Sequence, residues 1–307
     1  MSSRARGSDI SIRSSFSTGA IVTLFQGDCL KLLRALPARS VKLVVTSPPY
    51  NLGKAYESPV RFEDYLAEQQ LVIAECVRVL KYGGSVCWQV GPYVSRTGRV
   101  VPLDLAIHPL FTTHSCLSLR NRIIWHYEHG LNCRRRFSGR HEAILWYTKG
   151  DRYRFNLDAI RVPQKYPGKK AYKGPRCGEY SGNPLGKNPG DVWVFPNVKG
   201  NHVEKTIHPC QFPIELPERL ILALTQPGDV VLDPYLGVGT TAVAAVKHGR
   251  RAIGADSIKE YVAIARQRIV DVARGRLRYR PLGTPVEVPR PNTALTISPF
   301  SNGRINS

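Results

Sequence analysis

The sequence predicts an α/β chain, a mostly parallel twisted sheet with helices on both faces. Three observations carry this reading. Val41-Lys42-Leu43-Val44-Val45 is an apolar, β-branched run of the kind that fills a strand covered on both sides. Asp229-Val230-Val231-Leu232-Asp233 is a second such strand, and it passes through Gly237 and Gly239 into an alanine-rich helix from Thr240 to Val246. Arg251-Ala252-Ile253-Gly254-Ala255 then supplies a further strand, which completes a strand–helix–strand unit.

The remaining elements follow in order. A short strand from Leu24 reaches Asp28, and a brief helix covers Cys29 to Leu36. Phe62 to Tyr82 reads as a helix, with Leu66, Ile73, Val77 and Leu80 at helical spacing and Gly83-Gly84 as its stop. Ser85 to Val90 is a strand, Ile107 to Phe111 belongs to another helix, and Asn121 to Trp125 and Glu142 to Thr148 read as strands. Leu216 to Leu224 is a helix in front of the second glycine-turn strand. Ser257-Ile258-Lys259-Glu260 has the spacing of a capping box and opens a last helix whose Tyr261, Ala265, Ile269 and Val272 face inward. Along the chain this predicts a disordered N-terminal arm (1–20), a first half of the main domain (21–150), a loop-rich insert (151–205), a second half (206–280) and a flexible tail (281–307). A chain of 307 residues is better described as one α/β domain carrying an insert than as two equal domains.

Charge narrows the partner. With 44 Lys or Arg against 23 Asp or Glu, the formal net charge is +21, which points to a polyanion. Between Asp151 and Lys205 there are 11 basic and 5 acidic residues, mixed with Tyr153, Tyr166, Tyr172, Tyr180 and Trp193. Cations there can neutralise phosphates while aromatics stack on bases, so Lys165, Lys169, Lys170, Lys173 and Arg176 are candidate nucleic-acid contacts. Arg134, Arg135, Arg136, Phe137 and Arg140 form a second cluster between two strands. The seven cysteines show no Cys-x-x-Cys pair and no matching histidine spacing, so no metal site is expected. Met1 to Ala20 has no apolar signal core and no run is long enough to cross a bilayer, so a soluble cytoplasmic protein is expected.

The chemistry gathers where the first strand ends. Ser47-Pro48-Pro49-Tyr50 is a stiff corner: two prolines fix φ and offer carbonyls without competing N–H groups. A planar exocyclic amine can donate to the Ser47 hydroxyl and the Pro48 carbonyl while its ring stacks on Tyr50, which aims the nitrogen lone pair at an electrophile. The Asp233-Pro234-Tyr235-Leu236-Gly237-Val238-Gly239-Thr240 turn lets backbone approach a ligand closely. Asp256 follows about 20 residues later, where an acidic side chain holds a ribose in nucleoside-binding α/β folds.

Together these residues resemble the amino-group DNA methyltransferases that use S-adenosylmethionine, from about Leu24 to Ile269. The resemblance implies a Rossmann-like methyltransferase fold with permuted motif order, because the catalytic corner precedes the cofactor turn as in the β arrangement of the family. It assigns Ser47, Pro48, Pro49 and Tyr50 to catalysis, and Asp233, Pro234, Tyr235, Gly237, Gly239, Thr240 and Asp256 to the cofactor. Tyr235 stands where Phe is usual and Asp256 where Glu is usual. Gln26-Gly27-Asp28 resembles the family's Gly-Asp turn, which places Asp28 near the cofactor; on local grounds Asp28 is equally a helix N-cap. His208-Pro209-Cys210-Gln211-Phe212-Pro213 resembles the segment before the cofactor-side helix and brings in Gln211 and Pro213. In the family the Arg134–Arg140 region faces the base and the DNA backbone.

The implied substrate is double-stranded DNA with the target base flipped out, since the corner cannot reach an amine inside paired duplex. Ser at the head of the corner is associated with cytosine N4. Asn183 to Pro189 and Phe137 to Arg140 look like HindIII-type methylases, which resemble adenine enzymes, and tilt the reading to adenine N6. A cognate restriction endonuclease is a partner the resemblance allows; oligomeric state is not legible. Three rivals stay open. Pro209-Cys210-Gln211 looks like the thiolate motif of cytosine C5 methyltransferases, a catalytically silent DNA-binding relative would share the fold, and methylases of RNA or protein amines carry a similar corner but usually after the cofactor turn.

Overall fold

Burial on both faces of the strands decides the architecture. The computed structural model describes residues 10–286 except 55, 56, 96, 129 and 131, and the ends expected to be disordered lie partly outside them. In chain order the elements are β1 (Ile12–Arg13), β2 (Val22–Gln26), α1 (Cys29–Ala35), β3 (Val41–Thr46), α2 (Phe62–Val79), β4 (Leu80–Val90), β5 (Pro92–Val94), β6 (Val100–Pro102), α3 (Leu103–Thr112), β7 (Leu117–His126), β8 (His141–Lys149), β9 (Val192–Val194), α4 (Glu215–Leu224), β10 (Val230–Asp233), α5 (Thr240–Lys247), β11 (Arg251–Asp256) and α6 (Lys259–Ala273). Nine of the strands form one sheet, ordered β1-β2-β11-β10-β3-β4-β8-β7-β9. All its pairings are parallel except β4 with β8 and β8 with β7. The small β5–β6 hairpin stands apart and was not foreseen.

Alternate side chains feed two cores. Leu43, Val45, Val231 and Ala252 pack on one face with Leu216, Leu220, Val243, Ala265 and Ile269 of α4, α5 and α6. Val44, Leu232, Ile253 and Trp88 pack on the other with Leu33, Ile73, Val77, Ile107 and Phe111 of α1, α2 and α3. Among the described residues the sheet thus carries three α-helices on each face, as the covered strands require.

Because β2, β11, β10, β3 and β4 are parallel, Gln26, Asp256, Asp233, Thr46 and Val90 all finish at one edge. Two reversals bring the end of β7 and the start of β8 to that same edge. Binding sites collect beyond this edge in open α/β sheets.

Several sequence expectations need correction. α2 stops at Val79, not Tyr82, because the chain turns into β4 at Leu80, which pairs with Val41. The ladder then jumps to Leu43 with Ser85, so Gly83-Gly84 forms a bulge inside the strand, and Gly83 takes φ +71°. The carbonyls of Val77, in the last turn of α2, and Leu80, at the start of β4, accept from the buried Lys149 ammonium at 2.6 and 2.9 Å. No capping box starts α6: its N-cap is Ile258, with no side-chain cap bond, and the Asp256 carboxylate takes the Ile258 amide instead. The arm expected to be disordered contributes β1, which pairs with β2, and Ala20 is buried. The insert is not wholly irregular, since β9 joins the sheet beside β7. Arg280, just ahead of the tail, bonds Glu215 and ties down the Thr284 and Pro285 carbonyls of the tail; residues 287–307 lie outside the described part.

Candidate active site

Parallel pairing of β3 with β10 sets the two motifs side by side. Thr46, the last residue of β3, donates its hydroxyl to Asp233 Oδ1 at 2.7 Å. Asp233 also accepts the Tyr235 amide at 3.2 Å, which folds the turn back on itself. The carboxylate is buried, and burial pushes its pKa up to about 6, with the Thr46 and Thr241 hydroxyls and the Tyr235 amide offsetting part of the rise. Thr241 acts through proximity: its hydroxyl and Asp233 Oδ2 are buried, and neither makes a hydrogen bond of normal geometry among the described residues.

The glycine turn needs its glycines. Gly237 and Gly239 have φ of +52° and +79°, in the left-handed region. The Gly237 amide donates to Asp256 Oδ2 at 2.9 Å, and a Cβ there would stand 3.3 Å from the His208 ring. A Cβ at Gly239 would stand 2.7 Å from Ala265 Cβ, so this glycine lets α6 close onto the turn. Thr240 opens α5 and accepts from the buried Arg268 guanidinium. Pro234 is buried in the turn, and the Tyr235 ring lies edge-on to Trp88 with its hydroxyl accepting from Gln69.

Asp28 and Asp256 stand at adjacent strand ends, because Gln26 pairs with Asp256 and the Gly27 amide donates to the Asp256 carbonyl. Asp28 is also the N-cap of α1, accepting from Leu30 at 2.8 Å. Burial raises the pKa of Asp256, and its two backbone donors counter this. Gln211 accepts from the Thr206 hydroxyl and donates to the Glu204 carbonyl, and so pins its own loop. Pro213 is buried just ahead of α4, and its carbonyl accepts the Leu216 amide. A residue of this segment that the sequence reading passed over, His208, packs against Gly237 and tilts onto Tyr261; burial lowers its pKa to about 4 and keeps it neutral.

At the corner, Ser47 Oγ lies 2.8 Å from the Tyr50 hydroxyl, which donates to Glu142 Oε2 at 2.9 Å. Gln89 donates to that same oxygen at 2.7 Å. Asn51 follows with φ +60° and is held by paired bonds to Val60, while Glu57 accepts from the amides of Asn51 and Leu52. Pro48 and Pro49 are buried and partly buried. Glu142 was missed; its signal is an acid opening the apolar strand Ala143-Ile144-Leu145 at the edge where the motifs end.

The basic residues fall in two stretches of the chain. Arg134, Arg135, Arg136 and Phe137 lie exposed between β7 and β8, at the edge that carries Tyr50 and Glu142. Phe137 is 100% exposed, and Arg140 bonds Asn132. The insert leaves the sheet after Lys149, at the opposite edge. Its exposed Lys165, Lys170 and Lys173 lie over Tyr166, Tyr180 and Tyr172, Lys169 is exposed beside them, and Arg176 pairs with Glu179. A cavity of about 290 Å³ between α4 and β7, β8 and β9 is lined by Trp146, Phe155, Trp193 and Arg219, and by no residue of either motif.

An acceptor corner and a glycine turn on neighbouring parallel strands define an α/β methyltransferase whose acceptor is an amine. Residues 41–267 match the DNA methylase family N6_N4_Mtase. The chain is 51% identical to the type II methyltransferase M.BglII of Bacillus subtilis over 83% of its own length and 71% of the relative's. It is 37% identical to the DNA adenine methyltransferase YhdJ of Escherichia coli K12, over 82% and 83%. Among solved structures it resembles a DNA modification methylase of Thermus thermophilus complexed with S-adenosyl-L-methionine, with a TM-score of 0.59, 30% identity, and 82% of this chain and 96% of that one covered. The cytosine-N4-specific PvuII DNA methyltransferase shares the fold with a TM-score of 0.66 at 20% identity, over 88% and 96%. The chain therefore belongs to the N4-cytosine/N6-adenine DNA methyltransferases, enzymes dependent on S-adenosyl-L-methionine.

The residues present fit that cofactor. Asp233 Oδ2 and the Thr241 hydroxyl are orphaned polar atoms at the glycine turn, and Asp28 and Asp256 stand at the next strand ends. Cys210 is exposed on the loop after His208, and the family the chain matches is that of the amino-group methylases, so the thiolate mechanism has no support. Cys210→Ser is expected to leave the rate of methyl transfer unchanged, measured with labelled cofactor on plasmid DNA.

Proposed function

We propose that this protein methylates the exocyclic amino nitrogen of a flipped base within a short, specific site of double-stranded DNA. The carrying observation is the 2.7 Å bond from Thr46 to Asp233, which joins the amine-accepting corner to the cofactor turn across adjacent strands. S-adenosyl-L-methionine supplies an activated methyl group when bound, so the protein's task is orientation. Asp233, Thr241, Gly237 and Asp256 hold the cofactor, with Asp28 beside them. Ser47 and the Pro48 carbonyl accept the amine's N–H bonds, and the Tyr50 ring stacks on the base. Their contacts concentrate lone-pair density on nitrogen as positive charge develops there. Arg134, Arg135, Arg136 and Phe137 sit at the mouth of the same edge, where phosphate neutralisation and a wedge into the duplex accompany flipping. The insert's Lys and Tyr residues take the flanking duplex.

Two amines suit this corner. Adenine N6 is favoured by the relative named as an adenine enzyme and by the HindIII-like segments, whereas cytosine N4 is favoured by Ser47 at the head of the corner. Single-molecule sequencing of plasmid from expressing cells reads the modified base and its sequence context; unmodified plasmid refutes the proposal. A cognate endonuclease acting at that same sequence belongs to the proposal, in keeping with the type II designation of the relatives.

Replacing Arg134, Arg135 and Arg136 together by alanine is expected to weaken DNA binding and to flatten the slope of log K against log salt by roughly 2–3 units. A titration at four salt concentrations checks this. An unchanged slope places the DNA elsewhere.

A further inference from the structure

The hydroxyl chain at the catalytic corner has a direction, and the group that sets it lies on β8. Tyr50 has one phenolic proton, and that proton goes to Glu142 Oε2 at 2.9 Å. The 2.8 Å contact between Ser47 Oγ and the Tyr50 oxygen therefore has serine as its donor. With its proton committed to Tyr50, Ser47 turns lone pairs toward whatever enters beside it. We propose that Glu142 is a positioning residue that holds Ser47 as a pure hydrogen-bond acceptor, so that the corner admits an amino nitrogen and rejects a ring carbonyl or a bare ring nitrogen. This rests on the methyltransferase reading above.

The carboxylate is fixed from several sides. Gln89 of β4 donates to the oxygen that Tyr50 uses, at 2.7 Å, so both donors are served only by an acceptor. Gly91 leaves the space: a Cβ there would stand 3.0 Å from Tyr50 Cε2 and 3.4 Å from Glu142 Cγ. The facing titratable groups are His141 beside it on β8, Lys199 from the segment after β9, and the Tyr127 phenol of the β7–β8 connection. Burial holds the Glu142 pKa above the usual carboxylate range; the Gln89 and Tyr50 bonds, then Lys199 and His141, pull it back. Once protonated, Glu142 can donate to Tyr50. Tyr50 can then donate to Ser47, and Ser47 points its proton at the amine, which reverses the polarity of the corner.

Glu142→Gln tests this, since an amide keeps the shape and can turn either a donor or an acceptor to Tyr50. The readout is the single-turnover rate of the preformed enzyme–DNA–cofactor complex across pH. The natural protein should lose rate on the acid side as Glu142 protonates, whereas the variant should be roughly 10–100-fold slower at neutral pH and lack that acid limb. Affinity for S-adenosyl-L-methionine should not change. Tyr50→Phe severs the chain without touching the carboxylate, so it should lose the same limb, and adding Glu142→Gln to it should slow it no further. A Glu142→Gln variant with natural rate and natural acid limb overturns the proposal, as do losses that multiply in the double variant. If Glu142→Gln fails to fold, Tyr50→Phe decides alone: retention of the acid limb overturns it. A natural protein that transfers no methyl group to DNA refutes the functional reading itself, which is a separate result.

Discussion

Tyr50→Ala should reduce methyl transfer by at least about 10³-fold while S-adenosyl-L-methionine binds as before. The side chain does two jobs at once. In the proposed reaction its ring stacks on the extruded base, while its hydroxyl lies 2.8 Å from Ser47 Oγ and donates to Glu142. Alanine removes both, so the amine loses its plane and Ser47 loses its orientation. Truncation leaves the cofactor turn intact, because Asp233 is held by Thr46 and the Tyr235 amide and makes no hydrogen bond to Tyr50. Equilibrium binding of labelled cofactor together with single-turnover transfer separates the two functions. A variant within tenfold of the natural rate would remove Tyr50 from the reaction.

The second large effect concerns Asp233. In Asp233→Asn, the remaining oxygen can keep the bonds from Thr46 and the Tyr235 amide, while nitrogen takes the place of Oδ2, which has no partner among the described residues. The variant keeps both of those bonds and loses the charge that the Thr241 hydroxyl favours, so a fall in cofactor affinity would support Asp233 as part of the proposed cofactor site. A loss of roughly 10–100-fold is expected by isothermal titration, the scale of a charge-assisted bond turned into a repulsive contact. Stability should move the other way. The folded pKa of about 6 lies above the ordinary 3.8, so the folded state binds the extra proton and stability falls as pH rises between those values, by about 3 kcal/mol at most. Asn carries no charge, so the variant without cofactor should be more stable than the natural protein at pH 7 and lose that part of its pH dependence. Glu215, whose pKa burial raises to about 7 against the pull of Arg280, leaves a residual slope of the same sign. Urea melts at pH 4.5 and pH 7 check both statements.

Much of the fold was legible because burial on both faces writes itself as β-branched runs. Val41–Val45, Val230–Leu232 and Ala252–Ala255 needed no tertiary information. The end of α2 was misread because Gly83-Gly84 looks like a helix stop, whereas the chain leaves the helix at Leu80 to pair with Val41, and only the partner strand reveals this. The missing capping box has a similar cause: Asp256 takes the Ile258 amide, and the helix starts one residue later with Ile258, not Ser257, as its N-cap. β9 was hidden because a three-residue edge strand with exposed Val192 and Val194 carries almost no periodicity. Within the site, the Ser47–Tyr50 corner and the glycine turn stood out as local motifs. Glu142 did not, since its meaning comes from a hairpin that returns to the corner from 92 residues away.

The bond between Thr46 and Asp233 spans 187 residues of chain. β10 and β11 lie between β3 and β2, so the earlier strands must wait with a two-strand gap until the later ones are made. Nascent protein on the ribosome is consequently expected to transfer no methyl group until its final third emerges. For the same reason, two pieces divided within the insert, produced in one cell, should find each other and restore a working enzyme that neither piece provides by itself.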